Sequence, residues 1–149
     1  RRFVEYRESL GFEIIPLTGG AQPPFEVLAD RLRGNGIVCL MSDRDLTSRG
    51  VEVEFFGEAT RLPAGPAKLA LETGAPLHPA HVYYDGDDCV VHIFDALDTD
   101  SGDVGVITQG LADVFAGAIA EHPSDWHMLQ PQWIADLSAE KRARLHRGT

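Results

Sequence analysis

At 149 residues the chain is long enough for one domain with a real core. Hydrophobic residues make up 44% and charged residues 24%, which excludes a disordered segment. A formal net charge of -10 repels a phosphate backbone and argues against a general nucleic-acid binder, while leaving room for a local basic pocket.

The chain opens Arg1-Arg2-Phe3, without methionine, and enters a helical pattern at once, so it reads as a piece of a longer polypeptide. Residues 1–10 carry an amphipathic helix that Gly11 terminates. Phe12 to Leu17 is expected as a short strand, followed by a Thr18-Gly19-Gly20 loop. Pro23-Pro24 then opens a second helix with Phe25, Val27, Leu28 and Leu32 as its inner stripe, and Gly34-Asn35-Gly36 ends it.

Ile37 to Met41 is an apolar run expected to be a buried strand. It breaks into a charged knot, Ser42-Asp43-Arg44-Asp45. A ribbon follows over Val51 to Gly57, then a turn containing Arg61, Pro63 and Gly65, a helix from about Pro66 to Glu72, and a strand over Leu77 to Tyr84. Strand, loop, ribbon, helix, strand is the order of a crossover unit, which predicts that the two long strands lie parallel. Cys89 to Phe94 pairs back through Asp85-Gly86-Asp87-Asp88 as a hairpin. Both cysteines, Cys39 and Cys89, fall within apolar runs and read as reduced core thiols. Four aspartates, Asp95, Asp98, Asp100 and Asp103, form a solvated loop whose spacing does not suit calcium. Val104 to His122 is a long helix, and Ser138 to Arg147 a basic helix or tail. No apolar run is expected to approach the roughly 18 residues that cross a bilayer. The fold class is therefore α/β: a mostly parallel central sheet flanked by helices, with an antiparallel hairpin at one side.

The chemistry concentrates at the expected carboxyl end of the central strand, where ligands of such sheets sit. Asp43 and Asp45 alternate along an extended stretch and point the same way, raising each other's proton affinity unless a cation such as Arg44 or Arg49 relieves them. The alternative is a structural ion pair. Glu52 and Glu54 share one face of the ribbon, either as a solvent face or with Glu54 bordering the site floor. Arg61 and Lys68 flank a turn into a helix whose free N–H groups suit an anion, unless they serve ordinary capping. The six histidines show no converging metal-ligand pattern, and no dinucleotide or P-loop fingerprint is present.

The strings SDRD at 42–45, VEVEFFG at 51–57, LPAGPAKLA at 62–70 and TGAPLHPA at 73–80, with HPSDWHM at 122–128, resemble the bacterial lipid A biosynthesis acyltransferase family over nearly the whole chain. Within that family the resemblance is strongest to the actinobacterial envelope branch. It implies the C-terminal half of a single glycerolipid-acyltransferase-like domain covering residues 1–149, incomplete without its N-terminal half. It further implies an O-acyltransferase using acyl-CoA, with palmitoyl as the group transferred, and a mannose hydroxyl of mannosylated phosphatidylinositol as acceptor. The enzyme would be peripheral, on the cytoplasmic side of the plasma membrane, with no cofactor beyond the acyl-CoA co-substrate and no metal. The family's histidine base lies in an H-x-x-x-x-D/E motif that this chain lacks. The resemblance then gives Glu54 and Asp43 catalytic parts, and Arg44, Asp45, Arg61 and Lys68 substrate-binding ones. A lipid A-type enzyme using acyl carrier protein, and a non-catalytic anion or sugar-phosphate module, are the other readings.

Overall fold

A computed structural model of the chain describes residues 2–15, 22–45 and 50–145. It divides into two compact units, Arg1–Val38 and Cys39–Thr149.

The first unit holds helices α1 (Arg2–Ser9) and α2 (Pro24–Arg33). Gly11 closes α1 at a φ of 90°, where a side chain is strained, and its N–H donates to Glu8 O. α2 starts on Pro24 and ends through Asn35 at a φ of 60°, as the sequence predicts. Between the helices, the Glu13 carboxylate accepts two hydrogen bonds from Arg31, each 2.6 Å long. Phe12 to Ile15 form no strand, and the remainder of that expected strand, with the loop after it, lies outside the described residues.

The second unit is built on two antiparallel hairpins. β1 (Val51–Phe55) pairs with β2 (Glu58–Leu62), and β3 (Ala80–Asp85) with β4 (Asp88–Ile93). Helix α3 (Gly65–Thr73) joins the two hairpins, helix α4 (Val104–Glu121) follows them, and a short helix α5 (Ala139–Leu145) comes last. α4 packs on β1 and α3, and closes the core of Val53, Phe55, Leu62, Ala112 and Ile119. Asp103 fixes where α4 begins, its carboxylate accepting from Gly105 N at 2.6 Å and Val106 N at 3.1 Å. The acidic loop is thus partly a helix cap. Contrary to the sequence expectation, α4 is by length and composition long and apolar enough to cross a bilayer, the isolated polar Gln109 and Asp113 not outweighing its apolar residues, and here its inner side is core.

A parallel central sheet is not shown. Ile37 to Met41 make no strand pairing among the described residues, and Ile37 is 92% and Met41 87% exposed. A strand needs a neighbour for its backbone groups, and no described residue supplies one here. The sequence reading also missed β2. Phe56 and Gly57 both have positive φ, 55° and 79°, and make the two-residue turn whose twist suits a hairpin. An aromatic residue is a rare occupant of that first position, so the turn was hard to see. Arg61 consequently sits in β2 rather than in a turn.

The β3–β4 hairpin forms as predicted, with Tyr84 opposite Cys89, and its pairing runs on to Asp85 opposite Asp88. His81 and Tyr83 turn inward, and Tyr83 stacks on His122 with ring centroids 3.7 Å apart. His78 is exposed, with Nδ1 2.9 Å from Phe94 O. Both thiols are exposed, not buried: Cys39 lies on the unpaired stretch and Cys89 on the outward face of β4.

Candidate active site

The knot after Met41 is tied to the far end of the chain. The Trp126 indole donates to Asp43 Oδ2 at 3.2 Å, and Gln132 Nε2 donates to Asp43 O at 2.9 Å. The Trp126 ring also packs edge-on against Phe55, with centroids 5.8 Å apart. The Asp45 carboxylate accepts from Gly50 N at 2.7 Å, and Asp45 N donates to Arg61 O at 3.2 Å. A Cβ placed on Gly50 would lie 2.5 Å from Leu62 O and 2.9 Å from Asp45 Cβ, so only glycine fits at this position beside β1 without a shift. Arg49 lies outside the described residues.

The three charges of the knot do not neutralise one another. Half-buried Arg44 has Met128 Sδ as its neighbour, at 3.8 Å from Nη1, and no carboxylate within ion-pair distance among the described residues. Asp43 and Asp45 are each held by their own N–H donor. Apart from the Nη1–H that donates to Met128 Sδ, the guanidinium keeps its donors, as far as the described residues go, for an anionic or hydroxylated ligand.

Glu54 is fixed by its backbone and open at its carboxylate. Its N–H donates to Gln109 Oε1 and its carbonyl accepts from Gln109 Nε2, both at 2.9 Å. Gln109 Nε2 also donates to Asp113 at 2.8 Å, which fixes the amide orientation. The alternation of β1 buries Val53 and Phe55 and turns Glu52 and Glu54 outward, as the sequence predicts. Among the described residues, the exposed Glu54 carboxylate has no hydrogen bond or ion pair. Register places Glu52 opposite Arg61 and Glu54 opposite Ala59, so Glu52, Glu54 and Arg61 share one face. Arg61 lies 3.8 Å from Glu52. Among the described residues, no hydrogen bond or ion pair joins exposed Lys68, in the first turn of α3, to that face.

The structure thus brings Asp43, Arg44, Asp45 and Arg61 into one neighbourhood, with Glu54 on the face that carries Arg61. The residues that position them, Trp126, Gln132 and Gln109, were not predicted. Gln109 carries no sequence signal, whereas Trp126 stands in the HPSDWHM string. Downstream of it, Trp133 Nε1 donates to Phe55 O at 2.9 Å, and Thr60 Oγ1 donates to Gln132 O. Residues 126–133 therefore lace the β1–β2 hairpin to the knot.

A charged knot and a carboxylate-bearing strand, braced by a C-terminal tryptophan block, are the features by which the sequence resembled one enzyme family. The sequence model of the bacterial lipid A biosynthesis acyltransferases matches residues 1–135, and the chain belongs to that family. It is 68% identical over 145 residues to a phosphatidylinositol mannoside acyltransferase of Mycolicibacterium smegmatis, covering 97% of this chain and 48% of that protein. It is 63% identical over 145 residues to the protein of the same description from Mycobacterium tuberculosis strain H37Rv, covering 97% of this chain and 46% of that one. The chain spans about half the length of the curated relatives it matches.

Proposed function

We propose that these residues are the C-terminal half of an O-acyltransferase of glycolipid biosynthesis. The full-length enzyme moves a palmitoyl group from acyl-CoA to a mannose hydroxyl of a phosphatidylinositol mannoside. It works as a peripheral protein on the cytoplasmic side of the plasma membrane. The observation that carries this reading is 68% identity over 97% of the chain to a protein described as a phosphatidylinositol mannoside acyltransferase.

In this mechanism a histidine of the N-terminal half is the general base. It takes the proton of the mannose hydroxyl as the oxygen attacks the thioester carbonyl. The C–S bond then breaks, and the CoA thiolate leaves with the proton. Glu54 accepts a hydrogen bond from the far side of that imidazole, fixing its orientation and stabilising the imidazolium. An exposed carboxylate on a backbone clamped by Gln109 suits that part, because it is positioned yet uncommitted.

Asp43, held by Trp126, and Asp45 accept hydrogen bonds from sugar hydroxyls of the acceptor. Arg44, unpaired by any described carboxylate, and Arg61 meet acceptor or CoA phosphates, and Lys68 adds charge further out. Each methylene of the acyl chain buried along apolar walls adds about 0.8 kcal/mol to donor binding.

The test is transfer by the full-length protein from palmitoyl-CoA to purified phosphatidylinositol mannoside, with the product read by mass spectrometry. Parallel reactions offer an acyl carrier protein thioester as donor and a lipid A precursor as acceptor. Product in the first reaction alone supports the proposal. Transfer only to the lipid A precursor overturns the acceptor, and transfer only from acyl carrier protein overturns the donor.

A further inference from the structure

The β3–β4 hairpin has two unlike faces. The inner one carries His81 and Tyr83 and packs toward α4 and the turn at Pro123–Asp125. The outer one carries Ala80, Val82 and Tyr84 on β3, and Cys89, Val91 and Ile93 on β4. Register pairs these as three successive rungs, Ala80 with Ile93, Val82 with Val91 and Tyr84 with Cys89. All six are exposed: Val82 by 49%, Val91 by 60%, Tyr84 by 63% and Ile93 by 65%. Not one residue of this face is charged. A sheet with one solvated face alternates apolar inward with polar outward, and this hairpin breaks that rule in favour of two covered faces. No third strand pairs with either β3 or β4 among the described residues, and an isolated two-stranded sheet is marginal.

We infer that this face is an internal surface of the full-length protein, covered by the part of its polypeptide that lies outside these 149 residues. The inference rests on the reading of the chain as one half of a longer acyltransferase, and it names where the halves meet. The relatives carry about as much chain again as this one, which is ample to supply a helix or further strands.

Two other occupants fit less well. A bilayer carrying anionic lipid would meet Asp85, Asp87 and Asp88 at the hairpin tip, where the charge is of the wrong sign. Three rungs of two strands cover a few hundred Å² at most. A stable association between separate molecules needs about 800 Å² on each side, so this face alone is too small to hold a second copy. A cover from the same polypeptide needs no such area, because its local concentration is already high.

Cys89 stands on this face and reports on it. The experiment measures N-ethylmaleimide modification of Cys89 in dilute, lipid-free full-length protein, site by site by peptide mass spectrometry, against the same protein unfolded in guanidinium. The inference expects Cys89 to react at least about tenfold more slowly in the folded protein, independent of protein concentration. A Val91→Cys probe on a Cys89→Ser background, at the centre of the face, is expected to show the same protection. Modification at the unfolded rate overturns the inference. Protection that fades on dilution points to a second copy, and protection that needs vesicles of phosphatidylglycerol and phosphatidylcholine points to the membrane; either overturns it too. Acyl transfer by the same preparation is scored separately. An active enzyme with an open Cys89 overturns the packing and leaves the reaction standing, whereas a protected Cys89 in an inactive protein does the reverse.

Discussion

The indole N–H of Trp126 donates to the carboxylate of Asp43 at 3.2 Å, joining residues 83 positions apart in sequence. The same ring packs edge-on against Phe55 at the end of β1. One side chain thus fixes the charged knot relative to the strand that carries Glu54. Trp126→Phe keeps most of the packing and loses the hydrogen bond, which is worth about 1 kcal/mol. Trp126→Ala loses both, for a total of about 3 kcal/mol. Denaturant midpoints of the two variants in the full-length protein check the ordering. Equal losses would mean that the ring's burial adds nothing beyond the bond to Asp43, and a Trp126→Phe variant as stable as the parent would mean that the bond carries nothing.

Gly50 is where the knot rejoins the sheet. Gly50→Ala places a methyl group against Leu62 O and the Asp45 side chain, and the backbone must shift to admit it. The expected cost is about 1–3 kcal/mol in folding stability, with loss of substrate affinity as the Asp45 hydrogen bond is displaced. Thermal unfolding together with KM for the acceptor measures both. An unchanged melting temperature would show that the approach of Gly50 to Leu62 O and Asp45 does not constrain the backbone.

Stability should also depend on pH through His81. Burial, and then the charge of His122, push its pKa below the ordinary 6.5. The unfolded chain therefore binds the proton more tightly than the folded one. This contribution is complete above about pH 6.5 and is lost as pH falls from there through the lowered folded value. Denaturant midpoints at about pH 7.5 and about pH 5.5 should differ less in His81→Gln than in the parent protein. An identical pH difference in both would remove His81 from the account.

The helices were legible because their signals are local: Pro24 opening α2, Gly34 to Gly36 closing it, and the apolar spacing of α4. The outward turn of Glu52 and Glu54 was legible for the same reason, since a period of two needs only the strand itself. The β1–β2 pairing was hidden by Phe56, whose positive φ no propensity anticipates. The expected parallel sheet required a neighbour for Ile37 to Met41, and no described residue supplies one. The braces on the site were the hardest to foresee. Gln109 lies 55 residues from Glu54 and Gln132 lies 89 from Asp43, and such pairings are set by tertiary packing rather than by any nearby pattern.

The most direct test of the central claim is turnover of full-length Glu54→Gln with palmitoyl-CoA and phosphatidylinositol mannoside at saturating concentrations. Because the carboxylate is exposed and makes no described bond, the substitution should leave the melting temperature unchanged. Because it orients the base, kcat should fall by about 100-fold or more. A stable variant turning over within about twofold of the parent would contradict the account, since an effect that small is no catalytic contribution at all.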